Sequence, residues 1–158
     1  MLYDVPAMPI DGGPYLQCAL LCEKVLQEKD GVISLIRAVD RWTVSGPTEE
    51  MPSTAIQATI VIMFKSGIHR GPGRLTVTPV TPSDTRMPSM DISVLFEGDE
   101  DRGVNVVLPM SFPTAEAGVY WFEIALERQI VSHIPMRVIY HRVIVQPPPS
   151  HDPNQDRR

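Results

Sequence analysis

The sequence predicts an all-β chain folded as a single antiparallel sandwich, on three observations. Tyr120, Phe122, Ile124 and Leu126 fall at every second position, so a pleated strand puts all four side chains on one face. Glu127-Arg128-Gln129 interrupts that run and β-branched and aromatic residues resume after it, the pattern of a long hairpin. No long amphipathic helix and no heptad repeat occurs elsewhere, which argues against a parallel βαβ sheet.

Taken in order, residues 1–14 carry Pro6, Pro9, Gly12, Gly13 and Pro14 and read as an irregular lead-in. Strands are predicted near 15–27, 31–43, 54–65, 73–80, 90–96, 103–109, 117–126 and 130–145, seven or eight in one domain spanning 15–145. Segment 19–29 is the ambiguous one. Its residues favour helix, but Lys29-Asp30-Gly31 ahead of Val32-Ile33-Ser34-Leu35-Ile36 is a hairpin signal and decides for strand. Pro79 and Pro135 each remove a ladder donor, which places them on edges or at bulges. Tyr120 and Phe122 are predicted core, and Trp42 and Trp121 cover the sandwich or line an edge. The tail 146–158, opening on Pro147-Pro148-Pro149, has little to bury and is expected to be disordered. The architecture is a sandwich of the immunoglobulin-like or C2-like kind.

Composition narrows the function classes. The chain has 158 residues, 43% hydrophobic and 21% charged, with a net charge of −5. That charge argues against a general nucleic-acid binder, whose affinity comes from Lys and Arg on phosphates, and against an anionic membrane surface. No apolar run reaches the length needed to cross a bilayer. The N-terminus lacks the basic start and apolar stretch of a secretion signal. Cys18 and Cys22, about 13 Å apart if on one strand, lie beyond disulfide reach, so a reducing, cytoplasmic setting is expected.

Leu20-Leu21-Cys22-Glu23-Lys24-Val25 with Asp30-Gly31-Val32-Ile33-Ser34-Leu35-Ile36-Arg37 forms one recognisable block. Gly118-Val119-Tyr120-Trp121-Phe122-Glu123, with Ile134-Pro135-Met136-Arg137-Val138, forms another. Together they resemble a family of small uncharacterised bacterial β-sandwich proteins, over roughly residues 15–140. The resemblance implies the sandwich and carries no catalytic residue. Lys24 stands where that family's opening has a second acid.

Catalytic patterns are sparse. There is no Gly-x-Ser-x-Gly elbow, His-Glu-x-x-His or Gly-Lys-Ser/Thr loop, and His69, His133, His141 and His151 are scattered. A Cys18/Cys22/His metal site has a spacing better suited to helix than strand. Simple up-and-down alternation places loops 28–30, 66–72, 97–102 and 127–129 at one end of the sandwich and loops 44–53, 81–89 and 110–116 at the other. At the first end, His69, Arg70 and Arg74 around a glycine-rich turn could hold an anion. Glu97, Asp99 and Asp101 beside them could hold Ca²⁺, the one cofactor considered. The simpler reading of both is a solvated hairpin turn. At the other end, Met51-Pro52, Met87-Pro88 and Pro109-Met110, with Phe112, form a stiff and adaptable apolar set suited to a protein partner or a second copy. The alternative is that the methionines plug their own sandwich. The leading expectation is a non-enzymatic interaction module using that end or a sheet edge. A ligand- or calcium-binding module is the second, and a structural subunit of a phage or other large assembly the third.

Overall fold

In the computed structural model, residues 12–99 and 101–144 are described. The expected tail, His151 and most of the lead-in lie outside them. Nine strands follow one another: β1 (Tyr15–Gln27), β2 (Ile33–Ala38), β3 (Arg41–Gly46), β4 (Thr54–Lys65), β5 (Arg70–Val80), β6 (Met90–Glu97), β7 (Gly103–Thr114), β8 (Gly118–Leu126) and β9 (Gln129–Arg142). They form a four-stranded sheet, β2-β1-β4-β7, and a five-stranded sheet, β3-β9-β8-β5-β6.

The predicted strand 31–43 is two strands, which raises the count to nine. Arg37 takes a left-handed φ of 52° at the end of β2. Val39 still donates its N–H to Leu21 O on β1, while Asp40 O already accepts from Arg137 N on β9. The chain therefore crosses between sheets within two residues, held on both sides. β3 then runs parallel to β9, Arg41 opposite Arg137, so the sandwich is not purely antiparallel as predicted.

The core lies between the sheets. Ile56, Ala58, Ile60, Ile62 and Phe64 of β4 face Leu75 and Val77 of β5, Tyr120, Phe122 and Ile124 of β8, and Ile134, Met136 and Val138 of β9. Phe112 packs edge-on against Phe122 at 5.3 Å and Tyr120 at 5.7 Å. Each such burial stabilises by about 1.5–3 kcal/mol. Tyr120 is buried yet satisfied, its hydroxyl donating to Glu116 O at 3.1 Å. Gly118 is required at the same corner, because its φ is +141° and a Cβ there would sit 2.7 Å from Pro82.

A tyrosine near the start of a strand, bonded back to the preceding corner, is a hallmark of immunoglobulin-like sandwiches. The strand order agrees: β4 and β7 lie side by side as B and E, and β5, β8 and β9 as C, F and G. Of the two kinds expected, the fold is the immunoglobulin-like one.

Pro79 lies beyond the last β5–β6 pair, Val77 with Met90. Pro135 precedes the first β3–β9 pair. Both prolines sit beyond the ladder on one side of their strand, where Pro79 accepts from Met87 N–H and no proline N–H is called for.

Candidate functional site

Strands successive in the chain alternate in direction, so loops 66–69, 98–102 and 127–128 share one end, and loops 47–53, 81–89 and 115–117 share the other. Loop 28–32 belongs with the second group and not the first. The extra reversal between β2 and β3 moves it there.

At that second end the Met-Pro set does not assemble into one exposed surface. Phe112 is core, 5% exposed, which corrects its placement as a contact residue. Met110 is inside β7, opposite Ala58, and packs against the core with Met51. Met87 is half-buried and its N–H donates to Pro79 O. Pro52 and Pro88 remain exposed. β7 turns Met110 and Phe112 inward, because they pair with the core residues Ala58 and Ile56 of β4.

The charged end is also distributed. Gly71 and Gly73 are within β5, not in a loop, and a Cβ on Gly73 would come within 3.0 Å of the Phe96 ring. Glycine there makes room for Phe96. His69 packs edge-on against that ring at 5.4 Å, beside a cleft of about 180 Å³ that also meets Leu126 and Val131. Arg74 instead borders a shallow groove on the outer face of the five-stranded sheet, with Asp91, Ser93 and Arg128. Arg70 lines a third depression with Glu97 and Asp99. His69, Arg70 and Arg74 therefore do not converge on one anion.

Glu97 and Asp99 are occupied by Arg102, at 2.7 Å and 3.4 Å. Those carboxylates, Glu97 first and then Asp99, hold the Arg102 proton more tightly than usual. Asp101 contributes its carbonyl to Lys65 Nζ at 2.8 Å. Among the described residues no three His, Cys, Asp or Glu side chains gather as a metal site needs. Cys22 is fully buried and burial pushes its thiol above the ordinary range, which makes it a poor neutral-pH ligand.

The most unusual surface lies elsewhere, on the outer face of the four-stranded sheet. Val61 sits between Leu20 of β1 and Val107 of β7. Thr59 sits between Cys22 and Pro109, and Met63 between Cys18 and Asn105. All alternate with core residues of the same strands and so point away from the core. Val61 and Cys22 are fully buried, while Leu20, Cys18 and Met63 are half-buried.

Beyond Cys22, β1 parts from β4 but stays paired with β2 as far as Gln27 with Ile33, leaving an overhanging ribbon. Its Leu26 (40% exposed) and Ile36 (37%) continue the same face, as does Val107 (37%) at the opposite edge. No carboxylate stands on the part of this face shared by β1, β4 and β7; Lys24 and Lys65 lie towards its two ends, and Ser34 on the ribbon donates to the Glu28 carboxylate at 2.9 Å.

The readings that concentrated on loops passed this face over, although the sequence marks it. Ala58-Thr-Ile-Val-Ile-Met-Phe64 is almost wholly apolar. Such an unbroken run belongs to a strand covered on both faces.

The outer face of the five-stranded sheet is polar by contrast. Arg86 holds Glu123 through both guanidinium nitrogens, at 2.5 and 3.0 Å. His133 Nε2 lies 3.8 Å from the same carboxylate, and Trp121, 42% exposed, stands edge-on to the His133 ring. No described helix is long and apolar enough to cross a membrane.

No family model matches the chain, and no curated protein matches it. Among solved structures it is similar to an immunoglobulin-like protein from Pseudomonas aeruginosa, at 13% identity and a TM-score of 0.36, over 75% of this chain and 91% of that one. That likeness is too loose to transfer any residue's role; the fold rests on the strand order and the Tyr120 corner.

Proposed function

We propose that this protein is a non-enzymatic interaction module that presents the outer face of its four-stranded sheet to another protein surface. The observation supporting this reading is the composition of that face: Leu20, Val61, Met63 and Val107, extended by Leu26 and Ile36, with no carboxylate among them. Its exposed apolar side chains, Leu26, Ile36 and Val107, are disfavoured in water, and grouped apolar side chains of that kind mark places where another surface is received. A sheet face also suits such contact mechanically, since its side chains are fixed by the ladder and lose little freedom on binding. The reading moves the contact away from the Met-Pro end, whose side chains are largely spent on the protein's own core.

Affinity capture tests it. Wild-type protein is compared with Val107→Lys and Leu26→Lys, which place charge on exposed positions of the face, and with Arg74→Ser on the charged end. Loss of captured protein for the two lysine variants alone supports the reading. Equal capture by all four sinks it.

A further inference from the structure

Beyond that face, we infer a second binding site at the free edge of β6. It takes, as an added strand, an extended segment of another protein in which apolar side chains alternate with basic ones. Backbone direction is the first argument. Arg74 turns both its N–H and its C=O towards Glu127, while Pro79 O accepts from Met87 N–H on the other side of β5. Odd-numbered residues of β5 therefore bond β6, and the register sets them opposite its even-numbered residues. Asp91, Ser93 and Leu95 are left with N–H and C=O aimed out of the sheet, and among the described residues no strand lies beyond them.

The other edge on that side of the sandwich is interrupted. Ser66 N–H donates to Arg102 O, so the β4–β7 register turns even-numbered residues of β7 to β4 and odd-numbered ones outward. Pro109 and Pro113 stand at outward positions and remove two donors there. β6 holds no proline, and at eight residues it is longer than β2 or β3, of six each.

Side chains are the second argument. Met90 and Ile92 of β6, with Val104 and Leu108 of β7, pack against the core yet stay half-buried. They border the seam between the two sheets, where β6 and β7 are the outermost strands. A strand added to β6 lays every second side chain over that seam, so apolar residues at those positions cover the row. Charge is the third. The added strand's other side chains fall beside Asp91, Ser93, Leu95 and Glu97, a row with two carboxylates and no basic residue on a chain of net charge −5. Basic residues complement it, whereas a second β6 would bring two more carboxylates to the same edge.

Amide hydrogen exchange of the full chain by NMR, with a synthetic peptide alternating valine and lysine as the probe, tests the inference. The peptide is expected to slow exchange at Asp91, Ser93 and Leu95. Ser93→Pro removes an outward donor but no β5–β6 bond, so it is expected to weaken the peptide about tenfold with unchanged circular dichroism. Independently of any variant, N-methylating one alternate set of the peptide's amides is expected to abolish binding, and N-methylating the other set to leave it. Exchange unchanged at those three amides overturns the inference, as does binding indifferent to both methylated peptides. Exchange there that slows with protein concentration alone makes the occupant a second copy and also overturns it. Val107→Lys, which disrupts the apolar face, is expected to leave peptide binding as in wild type, so the two sites fail separately.

Discussion

On the outer face of the five-stranded sheet, Thr76 bonds Asp91 at 2.7 Å, Thr78 bonds Ser89 at 2.7 Å, and Arg86 clasps Glu123. At comparable positions across the molecule, Leu20 lies beside Val61, and Val61 beside Val107. Both faces arise from the same period-two alternation, and both back onto the same core. The polar face meets water by pairing its groups across strands, each pair contributing a few tenths of a kcal/mol up to about 1 kcal/mol. On the other face such pairs stand only towards the ends, Gln57 with Ser111 and Ser34 with Glu28, and the stretch between them is apolar. One sandwich thus holds a face suited to solvent and a face suited to contact, and the difference lies in side-chain chemistry alone.

Substitutions that exchange the character of the two faces sharpen this contrast, beginning with the largest effect. Val61→Asp puts a carboxylate at a fully buried outer position without a partner; a loss of about 3–5 kcal/mol is expected in urea unfolding. A loss below about 1 kcal/mol would mean the centre of the face is open to water.

Tyr120→Phe probes the core both faces share. It removes a buried hydroxyl bonded to Glu116 O and is expected to cost about 1–1.5 kcal/mol. Burial raises the Tyr120 phenol above its ordinary value, so folding favours the protonated form. That contribution is whole below about pH 10 and is lost as pH rises through the raised folded value. Alkaline unfolding should accordingly be shallower in the Phe variant than in wild type.

Glu123→Ala on the polar face comes last. Its partner Arg86 is 62% exposed, so solvent screening limits the loss to about 0.5–1 kcal/mol. A cost as large as that of Val61→Asp would place the stabilising network on the polar side.

Much of the fold was legible from pattern. The alternation of Tyr120, Phe122, Ile124 and Leu126 marks β8 and its inward face, and β1 and β4 have the bounds predicted for them. The crossing at Val39-Asp40 was not legible, because an apolar stretch on either side reads as one strand and the bonds that divide it go to Leu21 and Arg137. The parallel pairing of β3 with β9 is equally non-local. The candidate site was less legible still. Loop composition drew attention to Met51, Met87, Met110, His69 and Glu97, yet side-chain direction within the neighbouring strands decides that Met110 turns inward and that Glu97 meets Arg102. The run from Ala58 to Phe64 carried the missed signal, and its meaning depends on which strands lie beside it.

The ladder joining β3 to β9 bears on how the molecule is made. β3 leaves the ribosome early, but the strand it zips onto is the last of the described strands to be synthesised. The nascent chain must therefore carry an unclosed margin from β3 onward, and the margin seals only once β9 has emerged.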